Sequence, residues 1–315
     1  MSVIGGVAAG LQVLAVGIGA PFLVGAMRQV RARLEGRVGA GIGQPWRDLR
    51  KLSRKERLNP RGTSEVFRFT PLILVATTVI VAAVVPLVTT ASPLDPVADL
   101  FAVVALLTLG AVALALAGID TGTAFGGMGA SREMTIVALV EPTLLLAVLA
   151  VSVRVGSTNL SQIVTSTLDD PARVISPVTV LAATALAVAI IAETGRLPVD
   201  NPSTHLELTM VHEAMVLEYA GPDLALVEWA SAMRLTVFLG MFATLFAPWG
   251  IATDGSLVAL ALAVVLFVAK VGVLGLALAA GEVFLAKLRL FRVPELLAGS
   301  FVLAVLAVVA SFFLA

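Results

Sequence analysis

The sequence predicts an all-α integral membrane protein. It should have eight transmembrane helices, both termini outside, and cytoplasmic amphipathic segments between the helices. Three observations carry this. First, 59% of the residues are hydrophobic and 13% charged, whereas soluble domains average ~25% charged. Second, residues 1–27, 69–94, 100–119, 174–192, 235–253 and 296–315 contain no Asp, Glu, Lys or Arg. Third, two further runs carry one charge each, Glu141 within 134–153 and Lys270 within 255–281. A helical crossing needs roughly 20 apolar residues, and each of the eight runs qualifies. Stretches such as VLAATALAVAII do not alternate, so they do not suit a β-barrel. Residues 1–315 read as one polytopic membrane domain.

The elements follow in order. The first run has no basic segment ahead of it, so no cleavable signal peptide is expected. Positive charge comes after it instead. Residues 28–68 hold twelve of the 21 Lys and Arg residues against four acids. Basic loops stay inside, so 28–68 is a basic cytoplasmic loop and the N-terminus faces outward. Eight spans return the C-terminus to the outside. The later loops agree, with seventeen cations inside and two outside, leaving Arg234 and Lys270 within or beside spans. The expected location is the inner (cytoplasmic) membrane of the cell.

Inside the basic loop, GRVGAGIGQPWRDLRKL has the glycines of a phosphate loop. No strand precedes them and no Gly-Lys-Ser/Thr follows, so no nucleotide site is expected, and no nucleic-acid partner. Residues 46–58 mix Trp and Leu with Arg and Lys, which suits a short helix at headgroup level, serving either as a plain positive-inside anchor or as a docking surface for a partner. No internal repeat is visible, which disfavours a transporter built from two inverted halves.

Cysteine is absent from the sequence. That excludes iron–sulfur clusters, nickel or zinc held by thiolates of this chain. No metal site is expected either. His205 and His212 are seven residues apart, and His-Glu-Ala-Met lacks the second histidine of the metalloprotease motif.

The ionisable residues near lipid are the candidates for function. Glu141 lies in IVALVEPTLLLAV, where a bare carboxylate is costly unless paired, hydrated or protonated. Pro142 follows it and leaves a backbone carbonyl near Ala138 without a donor. Lys270 sits near the middle of its span, as a proton-exchanging amine or as a structural partner of Glu141 or Glu193. Glu282 reads as an ordinary interfacial acid.

Residues 192–221, AETGRLPVDNPSTHLELTMVHEAMVLEYAG, gather Glu193, Asp200, Glu207, Glu213 and Glu218 around one strong base, Arg196. We read residues 193–228 as an acidic cytoplasmic loop with an amphipathic helix over about 203–219. Glu193 and Arg196 are i, i+3, the spacing of an ion pair if the helix continues. Glu207 and Glu218 are close to three turns apart and share a face. The interleaved Leu, Met and Val residues require much of this segment to be buried. Buried acids in mutual contact raise one another's pKa and so become able to relay protons.

The pattern Glu193-x-x-Arg196-x-Pro198-x-Asp200-x-Pro202, followed by Glu207 and Leu217-Glu218-Tyr219, resembles the H-type membrane subunits of respiratory complex I. In particular it resembles the hydrogenase branch of that family, formate hydrogenlyase subunit 4 and the membrane subunits of group 4 nickel–iron hydrogenases. GRVGAGIGQPWRDLRKL resembles that family's first cytoplasmic loop, GGMGASREMTIVALVEP its next inner loop and acidic helix, and FLAKLRLFRVPELL the run before its last span.

The resemblance implies a non-catalytic subunit that anchors a soluble hydrogenase arm and carries a proton path toward antiporter-like membrane subunits. Partners would be the hydrogenase large and small subunits, which would hold the nickel–iron centre and iron–sulfur clusters; this chain would carry no cofactor. By motif, Glu141, Glu193, Arg196, Asp200, Glu207 and Glu218 carry over; Glu213 joins them by proximity and charge, and Lys270 by its position. Ser203 stands where complex I usually has an acid, and the histidines are also a departure. Two alternatives stay open. One is a membrane subunit of a quinone-reducing NADH dehydrogenase, marked by a lipophilic cavity near the first cytoplasmic loop. The other is a stand-alone proton or cation transporter.

Overall fold

The computed structural model describes residues 2–170, 174–200, 210–253, 256–289 and 292–313. Among them, every regular element is helical. In chain order these are α1 (Ser2–Leu34), α2 (Gln44–Leu52), α3 (Glu65–Val84), α4 (Leu100–Asp120), α5 (Ala124–Val153), α6 (Leu160–Asp169), α7 (Pro177–Glu193), α8 (His212–Val216), α9 (Gly221–Phe246), α10 (Leu257–Phe284) and α11 (Val293–Phe313). A short 3-10 turn at Asp95–Val97 precedes α4.

Seven of these, α1, α3, α4, α5, α9, α10 and α11, are long and apolar enough to cross a membrane. The run expected at 174–192 forms α7, an apolar helix of 17 residues. This is a multi-pass membrane protein.

Local chemistry sets the helix starts. Ser64, Asp99, Thr123, Asn159 and Ser176 each accept a hydrogen bond from a backbone N–H of the first turn, filling orphan donors. Pro177 opens α7, where a missing N–H costs nothing. α5 runs unbroken through Pro142.

Helix α9 is the buried pillar of the bundle, while α10 and α11 lie at its margin. α1 packs on α9 and α10, α3 on α4 and α9, and α5 on α4, α7 and α11. Gln12 of α1 ties this packing to the chain leaving α3. Its amide nitrogen donates to Ala82 O (2.6 Å) and Val85 O (2.7 Å), and its oxygen accepts from Leu87 N (3.1 Å) and Val88 N (2.9 Å).

Several boundaries differ from expectation because helices outrun their charge-free cores. α9 starts at Gly221 rather than near 235 and carries Asp223, Glu228 and Arg234. Thus the last residues of the 193–228 segment belong to a spanning helix. α5 starts at Ala124 and carries Arg132 and Glu133. The 28–68 segment is helical at both ends, with α2 between them. The helix expected over about 203–219 is seen as α8, His212–Val216; residues 201–209 lie outside the described residues.

Candidate functional site

The site begins where α7 ends. Gly195 has φ +57°, a backbone region that glycine enters without steric cost. Arg196 N donates to Ile191 O (3.0 Å) and Gly195 N to Ala192 O (3.1 Å), the paired bonds of a Schellman helix stop. The chain therefore turns sharply between Glu193 and Arg196, and the expected pair between them does not form. Glu193 instead pairs with Arg234 of α9. Arg196 reaches α10, where its guanidinium lies 3.6 Å from Glu282 Oε1. Arg31 of α1 donates to Glu282 Oε2 at 3.3 Å.

The connection after α7 is pinned further along. Asp200 is buried, accepts from Lys287 Nζ at 3.0 Å, and accepts from the backbone N–H groups of Val211 (3.2 Å) and His212 (3.3 Å). Pro198 O accepts from Leu288 N at 2.9 Å. The segments after α7 and α10 thus hold one another.

These elements enclose a chamber of about 440 Å³. Arg28 and Arg31 of α1, Arg196 and Asp200, His212 and Glu213 of α8, Glu228 and Ser231 of α9, and Glu282 line it. Burial pushes the Arg196 guanidinium below its ordinary pKa, an effect opposed by the Glu282 carboxylate and reinforced by Arg31 and Arg28. A smaller cavity of about 30 Å³ lies deeper, lined by Glu133, Glu193 and Arg234. It shares Thr194, His212 and Ser231 with the chamber. One wall of polar side chains therefore runs from the chamber to Glu133.

A third cavity, about 240 Å³, lies between α1, α2 and α9, lined by Pro21, Pro45, Leu49, Leu52 and Leu224. It shares Val24, Arg28, Glu228 and Ala232 with the chamber. It is a partly apolar space beside α2, within the 28–68 segment.

The structure brings together Glu193, Arg196, Asp200 and Glu213. Glu207 lies outside the described residues. Glu141 and Glu218 are half-buried and line none of the described cavities. Lys270 pairs with neither Glu141 nor Glu193: its amine donates to Ala247 O (2.5 Å) and to Trp249 O, the carbonyls just beyond α9. The amine, from the adjacent helix α10, satisfies carbonyls that are costly when left bare in lipid.

Glu282 is no interfacial acid. Its side chain is 2% exposed and holds two arginines. Sequence reasoning also misses Arg28, Arg31, Glu133, Glu228 and Arg234. Their signal is a charge inside or at the end of an apolar helix, hidden when a span is taken to stop where its charge-free run stops.

A bundle of apolar helices with a charged chamber among them defines a class: multi-pass membrane subunits with clustered, buried ionisable groups. The chain belongs to the NADH dehydrogenase family, whose family model matches residues 7–314.

Among curated relatives it is 37% identical to formate hydrogenlyase subunit 4 of Escherichia coli (strain K12), covering 95% of this chain and 96% of that one. It is 36% identical to hydrogenase-4 component C of the same strain, covering 91% and 90%. With NADH-quinone oxidoreductase subunit 8 of Rhodothermus marinus it shares 29% identity over 72% of this chain and 68% of the other. A chain in the solved structure of the membrane-bound sulfane sulfur reductase, an archaeal respiratory membrane complex, superimposes with a TM-score of 0.81 at 20% identity. That match covers 97% of this chain and 98% of that one, and it bears on the fold alone.

Proposed function

We propose that this chain is the membrane anchor and proton-path subunit of a membrane-bound, formate hydrogenlyase-like nickel–iron hydrogenase. It is non-catalytic and couples a soluble redox arm to ion translocation. The hydrogenase large and small subunits dock on its basic loop and carry the nickel–iron centre and iron–sulfur clusters. Antiporter-like membrane subunits flank it in the inner membrane.

The carrying observation is the shared lining of chamber and inner cavity. Thr194, His212 and Ser231 join a space facing Glu213, Glu228 and Glu282 to one facing Glu193 and Glu133. Carboxylates, hydroxyls and an imidazole along one wall supply the alternating donors and acceptors that a hydrated proton relay requires. Asp200, which lines the chamber, belongs to its entry side; the motif match adds Glu207 and Glu218 as further members of the path. Glu141, two turns beyond Glu133 on α5, continues toward a neighbouring subunit.

The experiment is purification in mild detergent followed by identification of the co-purifying proteins. Hydrogenase subunits bearing a nickel–iron centre are expected. Co-purification with a flavin-containing NADH dehydrogenase module instead contradicts this function.

The cavity between α1, α2 and α9 favours a second reading, a quinone site as in the quinone-reducing relatives. A photoreactive menaquinone analogue would label Leu49, Leu52 or Leu224 in that case. Higher identity over nearly the full length of the hydrogenase relatives puts the first reading ahead.

A further inference from the structure

Glu282 stands apart from the other acids of the chamber. It comes from α10, whose other described face is largely exposed and apolar. Its carboxylate is the meeting point of Arg31 on α1 and Arg196 on the connection after α7. The two contacts are unequal. Oε2 accepts a hydrogen bond from Arg31, whereas Oε1 is buried, makes no hydrogen bond among the described residues, and lies 3.6 Å from Arg196. The connection carrying Arg196 is fixed on both sides, by Glu193 on Arg234 and by Asp200 on Lys287. Between those anchors, Arg196 meets Glu282 at 3.6 Å, the outer edge of hydrogen-bonding distance, so the pair is held mainly by charge.

We propose that Glu282 is a positioning residue for the coupling path: it sets where the Arg196 guanidinium sits in the chamber that the acids Glu213 and Glu228 also line. The assignment rests on the proton-path function proposed above. Arg196 is always charged in practice, so its position fixes the field felt by every acid around the chamber. Glu282 fixes that position from a helix that contributes no other charge to the chamber. A change of charge among the acids would draw Arg196 across the gap, and Arg31 would keep Glu282 in place while it moved.

The test compares Glu282→Gln and Glu282→Asp in sealed vesicles containing the intact complex. Glu282→Asp keeps the charge but withdraws the carboxylate by one methylene. Protons moved per hydrogen evolved are measured at equal content of assembled complex, alongside dye-linked activity of the soluble arm. We expect both variants to keep dye-linked activity. The proton ratio should fall about fivefold or more in Glu282→Gln, the lower end of coupling between distinct sites, with an intermediate value in Glu282→Asp.

A native ratio in either assembled variant overturns the proposal. So does failure of both to assemble, which would make Glu282 a structural anchor. Glu133→Gln in the same vesicles separates the two levels. If it also keeps the native ratio, the proton path itself fails; if it alone loses the ratio, only the role of Glu282 fails.

Discussion

Glu193, the last residue of α7, is paired with Arg234 of α9 rather than with Arg196 three residues along its own chain. Both side chains are buried, at 5% and 13% exposure. Removing one partner of such a pair leaves the other charge uncompensated, at a cost of about 3–5 kcal/mol. Removing both costs far less. We expect Glu193→Gln and Arg234→Met each to lower the yield of assembled complex, and the double variant to recover most of it. A double variant as poor as either single one would contradict the pairing.

Gln12 spends its whole hydrogen-bonding capacity on four backbone groups between Ala82 and Val88. Gln12→Leu keeps the volume but strands Ala82 O and Val88 N away from water, while Leu87 N and Val85 O keep only their bond to each other. Each buried unsatisfied group costs about 1–3 kcal/mol. The variant should lose its fold at a clearly lower temperature, read by thermal aggregation in detergent. An unchanged transition would show that the turn after α3 does not depend on α1.

How much is legible in the sequence differs between fold and site. The spans are legible because lipid leaves a long run of apolar residues as its trace. Residues 193–200 are legible as a site because acids beside prolines are conspicuous next to such runs. Their partners are not. Sequence spacing suggests Arg196 for Glu193, but Gly195 turns the backbone and sends the two side chains to different helices. The Gly after an apolar run is a helix-stop signal and argues against that pair. Glu282 is 86 residues from Arg196 along the chain, and only the packing of α1 beside α10 brings Arg31 to the same carboxylate. Glu133, Glu228 and Arg234 are hidden for another reason: a charge-free criterion ends a span at its first charge, although a helix wall facing a polar cavity can carry one.

Lys270 illustrates an intramembrane charge with a structural task. Its amine holds the carbonyls of Ala247 and Trp249. Hydrogen bonds to a charged group contribute about 1.5–3 kcal/mol each. Lys270→Met should therefore lower the thermal stability of the complex and leave the protons moved per hydrogen evolved unchanged. A drop in that ratio at full assembly would instead put Lys270 on the path.

The basic loop is tied to α9 at a glycine. Gly221 has φ +59°, and a Cβ there would lie 2.3 Å from Glu56 O. Arg57 pairs with Asp223 at 2.7 Å beside it. Gly221→Ala should cost ~1 kcal/mol or more from backbone strain alone and push the loop away. Faster tryptic cleavage at Lys55 or Arg57 in the purified complex is the expected sign. Unchanged cleavage would mean that the close approach is dispensable.

Most direct is the fate of Glu133, which lines the inner cavity at the far end of the shared wall and makes no described ion pair of its own. Glu133→Gln keeps the shape and removes the ionisable group. In sealed vesicles bearing the whole complex, we expect intact subunit composition and dye-linked hydrogenase activity, with protons moved per hydrogen evolved reduced about fivefold or more. A native proton ratio in that variant would contradict a path through these acids and leave the chain a membrane anchor alone.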